Sequence, residues 1–170
     1  MNFKIIGGIM VIVACGGFGL LTAMTYKKEL RMLREFCMIL DFMIWELQYH
    51  QLPLAQLCRR SAVEATGTLK KYFQYLAQEL DNQILPDVRH CVYAAKIKVS
   101  NMPKNMNSLL HMFGRQLGQY DLEGQLRGLE AVKQECKRIL NLRTENHDVK
   151  LRSYQTLGLC AGAALAILFI

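Results

Sequence analysis

Residues 30–53 read LRMLREFCMILDFMIWELQYHQLP, and this stretch decides the fold. Leu30, Leu33, Cys37, Leu40, Ile44 and Leu47 recur at steps of three and four, the period of one helix face. Phe36, Ile39 and Met43 widen that face, which predicts a helix buried on more than one side. The alternation of period two that a half-buried strand needs is absent. Pro53 then stops the helix and starts another. Proline lacks the N–H that a helix interior uses, but it is tolerated in a first turn.

Working outward from Pro53, the same period returns five times. A short helix from about Pro53 to Val63 turns Leu54, Leu57 and Cys58 inward. Thr66-Gly67-Thr68 breaks the chain before Leu69, Tyr72, Phe73, Leu76 and Leu80 mark a third helix. Leu85-Pro86 opens a fourth, with Val88, Val92, Ala95 and Val99 aligned. Asn101-Met102-Pro103 breaks again, and Met106, Leu109, Leu110, Phe113 and Leu117 make a fifth. Gly118 fits a helix stop and Asp121 an N-cap. The sixth helix begins near Leu122 and runs through Leu126, Leu129, Val132, Cys136, Ile139 and Leu140. The expected fold is all-α: a compact antiparallel bundle of about six helices with short loops.

The two ends differ from this middle. Every charge except Lys4 lies between Lys27 and Arg152. Ile5 to Tyr26 is an uncharged stretch of 22 residues, roughly 33 Å as a helix, and Ser153 to Ile170 is one of 18, roughly 27 Å. This uneven distribution explains how a chain of 170 residues with 21% charge reaches a mean hydropathy of +0.10. The expected organisation is an N-terminal membrane span within 1–26, a bundle over 27–152 and a C-terminal span over 153–170. A cleaved leader is the competing reading of the first stretch. It is disfavoured because Lys27, Lys28, Arg31 and Arg34 follow at once and no Ala-x-Ala site is present. Those four cations, with Arg138, Arg143, Lys150 and Arg152 before the second span, place the bundle in the cytoplasm. Small residues recur at spacing four in both stretches, with Gly19 between Cys15 and Ala23, and Gly158 and Gly162 before Ala166. Such ladders let membrane helices approach closely.

No phosphate-binding loop, Gly-x-Ser-x-Gly or His-Glu-x-x-His is present. His50, His90, His111 and His147 have no paired metal-ligand spacing. Six scattered cysteines form no Cys-x-x-Cys, and those of the middle read as reduced, buried small hydrophobes. The basic residues mix with acidic ones and aromatics sit at core spacing, so nucleic acid is not an expected ligand. The expectation is no enzyme: no catalytic residue, no cofactor and no metal.

Three stretches in order carry a resemblance. They are Trp45-Glu46-Leu47-Gln48-Tyr49 with Leu52-Pro53-Leu54-Ala55; Phe113-Gly114-Arg115-Gln116-Leu117-Gly118-Gln119-Tyr120-Asp121 with Gln125; and Leu157-Gly158-Leu159-Cys160-Ala161-Gly162. With the span, bundle, span layout, the whole chain resembles the stage III sporulation protein AB family of endospore-forming bacteria. That family is similar in its bundle to the inner-membrane platform protein of type II secretion and type IV pilus systems. Those platform proteins usually carry two bundles and three spans, against one and two here. The resemblance implies a non-enzymatic platform in a channel-like complex between mother cell and forespore, in the mother-cell membrane. It implies a secretion-type ATPase partner, similar to stage III sporulation protein AA, other membrane components, and a homo-oligomer in contact with membrane lipids. Glu46, Tyr49, Pro53, Leu54, Gly118, Asp121 and Gln125 sit on the matching positions. Pro53 and Gly118 also read as helix punctuation, Asp121 as a cap, and Glu46 as a partner of His50. Glu46, Asp121 and Gln125 are the candidate partner-binding residues, since polar groups can stand at a surface. The alternative is a membrane-anchored helical adaptor for another cytoplasmic partner, unrelated to secretion.

Overall fold

The computed structural model describes residues 2–82, 87–99, 102–117 and 121–144, with side chains from residue 24 on. Five helices are α1 Asn2–His50, α2 Leu54–Glu64, α3 Gly67–Asn82, α4 Val88–Ile97 and α5 Lys104–Gln116. A sixth, α6, covers 122–144. No strand occurs among the described residues. The chain divides into two compact units, Met1–Leu30 with Asn141–Ile170, and Arg31–Leu140.

The larger unit is the helical bundle. Its centre is a mutual packing of three phenylalanines. Phe36 of α1 stacks on Phe73 of α3 at 6.4 Å and meets Phe113 of α5 edge-on at 6.0 Å. Phe73 and Phe113 close the triangle at 6.1 Å. Such pairs add about 0.5–1.5 kcal/mol beyond the burial itself. Around them lie Leu33, Leu40, Met43, Leu57, Leu69, Leu76, Met106, Leu110, Leu129 and Val132, all buried. The periodic positions read from the sequence therefore do face one core. Ile44, Leu54, Leu80, Val88, Leu126, Ile139 and Leu140 pack at its margin. Leu122, the first residue of α6 as its sequence suggested, is 36% exposed.

The helix boundaries have local causes. Gln51 takes φ 46, a left-handed turn that lets α1 end before Pro53. Pro53 then leads α2, with Leu57 N–H donating to its carbonyl. The second break sits at Ala65–Thr66, not at Gly67; Gly67 is already the first residue of α3 and takes φ 50. Asp87 caps α4 by accepting from the Arg89 N–H, while Leu85-Pro86 lies outside the described residues. Two helix contacts depend on missing side chains. A Cβ on Gly114 of α5 would come within 2.9 Å of Val92 Cγ1 on α4, and one on Gly128 of α6 within 2.8 Å of Gln116 Cβ on α5.

In the smaller unit the Tyr26 hydroxyl donates to the Arg143 carbonyl. The Arg143 guanidinium lies 5.7 Å from the Tyr26 ring centre and 3.9 Å from Glu29. Among the described residues no helix is long and apolar enough to cross a membrane. The expected span at 153–170 lies outside the described residues. That at 5–26 lies in the helical backbone of α1, with side chains described only from 24.

Candidate functional site

The polar residues singled out in the sequence fall into two places. The first is the joint between α1 and α2. Glu46 sits one turn before the end of α1, on the side that α2 covers, and is 4% exposed. Arg60, in the second turn of α2, reaches back to it. Its Nη1 donates to both carboxylate oxygens at 3.0 Å. His50, one turn beyond Glu46, places Nδ1 3.2 Å from Oε2. A buried carboxylate without a partner would cost several kcal/mol, roughly 3–5 when one member of a buried pair is lost. The carboxylate of Glu46 is therefore occupied at the helix joint rather than laid out on the surface. The partner expected from the sequence, His50, is present, and Arg60 adds a charge-assisted contact in which one nitrogen is shared between both carboxylate oxygens.

Tyr49 stands beside this joint and is 66% exposed. Its ring lies 5.5 Å from that of Trp45, which also meets His50 at 5.1 Å. Pro53 and Leu54 begin α2, with Leu54 half-buried against the core. Ser61 is fully buried and turns its hydroxyl back to the Leu57 carbonyl at 2.9 Å.

The second place is the start of α6. Asp121 is exposed and caps the helix: the Gly124 N–H donates to Oδ1 at 3.0 Å, and the Gln125 N–H to its carbonyl at 2.9 Å. Gln125 is half-buried one turn on. Gly118 lies outside the described residues, as do Gly158 and Gly162; of Gly19 only the helical backbone is described. The structure thus brings Glu46, Tyr49, Pro53 and Leu54 to one joint, and leaves Asp121 and Gln125 at a separate helix start.

Among the described residues no three His, Cys, Asp or Glu side chains could hold one metal ion. Cys37, Cys58, Cys91 and Cys136 are free and buried. Burial pushes the Cys58 thiol far up, helped by Asp81, and raises Cys91 as well, which leaves both poor nucleophiles at neutral pH.

The family described as stage III sporulation protein AB matches residues 4–170. The chain belongs to the stage III sporulation protein AB family. A solved structure of a stage III sporulation protein AB covers 72% of this chain and 98% of its own length, at a TM-score of 0.61 and 15% identity. At that identity the likeness speaks for a shared helical fold. No curated protein matches. Two features of this chain depend on the tertiary fold rather than on any local sequence pattern. The role of Arg60 arises only when α2 meets the end of α1. Gly114 follows Phe113 in the second of the family stretches, and its close approach to Val92 needs the packed pair of helices.

Proposed function

We propose that this protein is a non-enzymatic platform of a sporulation-specific, secretion-like export or channel complex. The observation that carries the reading is family membership over residues 4–170. The uncharged stretches 5–26 and 153–170, each bordered by Lys and Arg, support two membrane spans with the bundle in the cytoplasm. Gly19 in one stretch and Gly158 with Gly162 in the other suit close helix packing there. Lys27 and Lys28 are placed to meet anionic headgroups. By the family resemblance, the membrane is that of the mother cell around the forespore. The motor partner is a secretion-type ATPase similar to stage III sporulation protein AA. The platform acts as a homo-oligomer with the other membrane components. Asp121 and Gln125, at the start of α6, are the residues we assign to the ATPase contact. Glu46 serves the joint that holds α1 and α2 in place.

The test is calorimetric binding of the full chain, in nanodiscs, to that ATPase with and without nucleotide. Nucleotide-sensitive binding is expected, and Asp121→Arg and Gln125→Arg weaken it with unchanged circular dichroism. Absence of binding by the folded chain overturns the docking role. Full binding by both variants removes these two residues from the interface.

A further inference from the structure

Helix α1 has a second apolar face. Met38, Phe42, Trp45 and Tyr49 step by four, three and four. At about 100° per residue, Met38 and Phe42 flank the buried Leu40, and Trp45 and Tyr49 flank the buried Leu47, so that all four point away from the core. Met38 is 64% exposed, Trp45 49% and Tyr49 66%; Phe42 is half-buried between them. The spacing is that of an a/d seam, the pattern by which one helix receives another.

The charges along the seam are unequal in a way that describes its occupant. Arg31 and Arg34 lie at its N-terminal end, exposed, with no ion pair among the described residues. Every carboxylate beside the seam is already held. Glu35 accepts from the Thr66 N–H, Asp41 pairs with Lys133 at 2.9 Å, and Glu46 is taken by Arg60 and His50. We infer that this face of α1 docks an amphipathic helix of another protein, with apolar residues at a and d and carboxylates opposite Arg31 and Arg34. A second copy of the chain fits poorly. Laid parallel, it sets arginine against arginine; laid antiparallel, it sets Arg31 and Arg34 against the Glu46–Arg60–His50 joint, whose one carboxylate is already taken. A lipid surface fits poorly too, since the seam is narrow and Glu35 and Asp41 border it, whereas membrane-lying helices present a broad apolar face. The inference is independent of the platform reading, because it concerns the face and the chemistry of its occupant rather than the complex.

Trp45 is the sole tryptophan, so its emission reports on the seam directly. The probe is a three-heptad synthetic helix with Leu at a and d and Glu at the flanking positions. It is titrated onto the full chain in zwitterionic nanodiscs. Trp45 emission shifts to the blue with saturation. Met38→Glu and Tyr49→Glu, both at exposed positions, remove the shift without loss of helical circular dichroism. Arg31→Glu with Arg34→Glu weakens binding roughly five- to tenfold, the scale of two surface ion pairs. A peptide with Lys in place of Glu binds that double variant better than it binds the unsubstituted chain. Four results would overturn the inference. These are no shift with the Glu peptide, equal binding of Glu and Lys peptides, a shift on anionic nanodiscs without peptide, or a shift on raising protein concentration alone. The last two would assign the face to lipid or to a second copy.

Discussion

Arg60→Ala should loosen the joint between α1 and α2. The Glu46 side chain is 5% exposed and that of Arg60 47% exposed. Two unit charges about 4 Å apart attract by about 4 kcal/mol at an effective dielectric of about 20. Part of that is already spent on removing the Glu46 carboxylate from water. Removing Arg60 opens a path for water on its exposed side, and His50 remains, so the loss falls below the 3–5 kcal/mol of a fully enclosed pair. We expect about 2 kcal/mol, which lowers the melting temperature by about 4–8 °C for a chain of this size. The assay is thermal unfolding of the full chain in nanodiscs, followed by circular dichroism, as a double-mutant cycle with Glu46→Gln. A coupling energy above about 1 kcal/mol is expected, with little change in added salt. The Glu123–Arg127 pair is the control: at 3.9 Å with side chains 80% and 77% exposed, it should couple by under about 0.5 kcal/mol. Coupling at Glu46–Arg60 no larger than at this control would refute the reasoning.

Gly114→Ala should lower the denaturant midpoint, although alanine favours a helix interior by about 1 kcal/mol, because its Cβ would meet Val92 at 2.9 Å. Adding Val92→Ala should recover part of the loss, and failure of that rescue would point away from the contact. Gly67→Ala should cost about 1–2 kcal/mol from its left-handed backbone alone, since a Cβ there has open space; Gly67→Asn should cost less. Asp121→Ala should cost about 1 kcal/mol by loss of the α6 cap, read by thermal unfolding, and Asp121→Asn should be nearly silent. Arg89 holds the Asp87 carboxyl below its usual value, and Arg138 does the same to Glu135. A depressed folded-state value favours the fold above the unfolded carboxylate range near 4, and that contribution fades as pH falls below it. Denaturant midpoints should therefore decline on the acid side of about pH 4, less so in Asp87→Asn with Glu135→Gln.

The bundle was legible because its core residues repeat at helical period over several turns. Leu33, Phe36, Leu40, Leu69, Phe73, Leu110 and Phe113 needed no knowledge of their neighbours to be read as inward. The helix breaks were less legible. Gly67 reads as a loop residue, yet its φ of 50 opens α3, and Asp87 becomes a cap only because the chain starts α4 at Val88. The site was legible in part. The sequence marks Glu46 as polar on a helix, and it offers His50 one turn away as a partner. It does not say that α2 returns along that side and sends Arg60 to the same carboxylate.

The second stripe on α1 shows the same division from the other side. Met38, Phe42, Trp45 and Tyr49 look like more core when only hydrophobicity is counted, because a helix apolar all round is the pattern of a buried helix. Packing decides which stripe is covered, since a bundle can enclose one side of α1 and leave the opposite side outward.

By itself the sequence determined the helical class, the approximate helix boundaries, the family, and the main apolar stripe of each helix. Those follow from periodicity, turn residues and spacing, all properties of neighbours along the chain. The tertiary structure alone decided which polar residues are occupied and which apolar residues are left over. Those properties depend on groups distant in sequence arriving at one point, as Arg60 does at Glu46, or failing to arrive, as at Trp45.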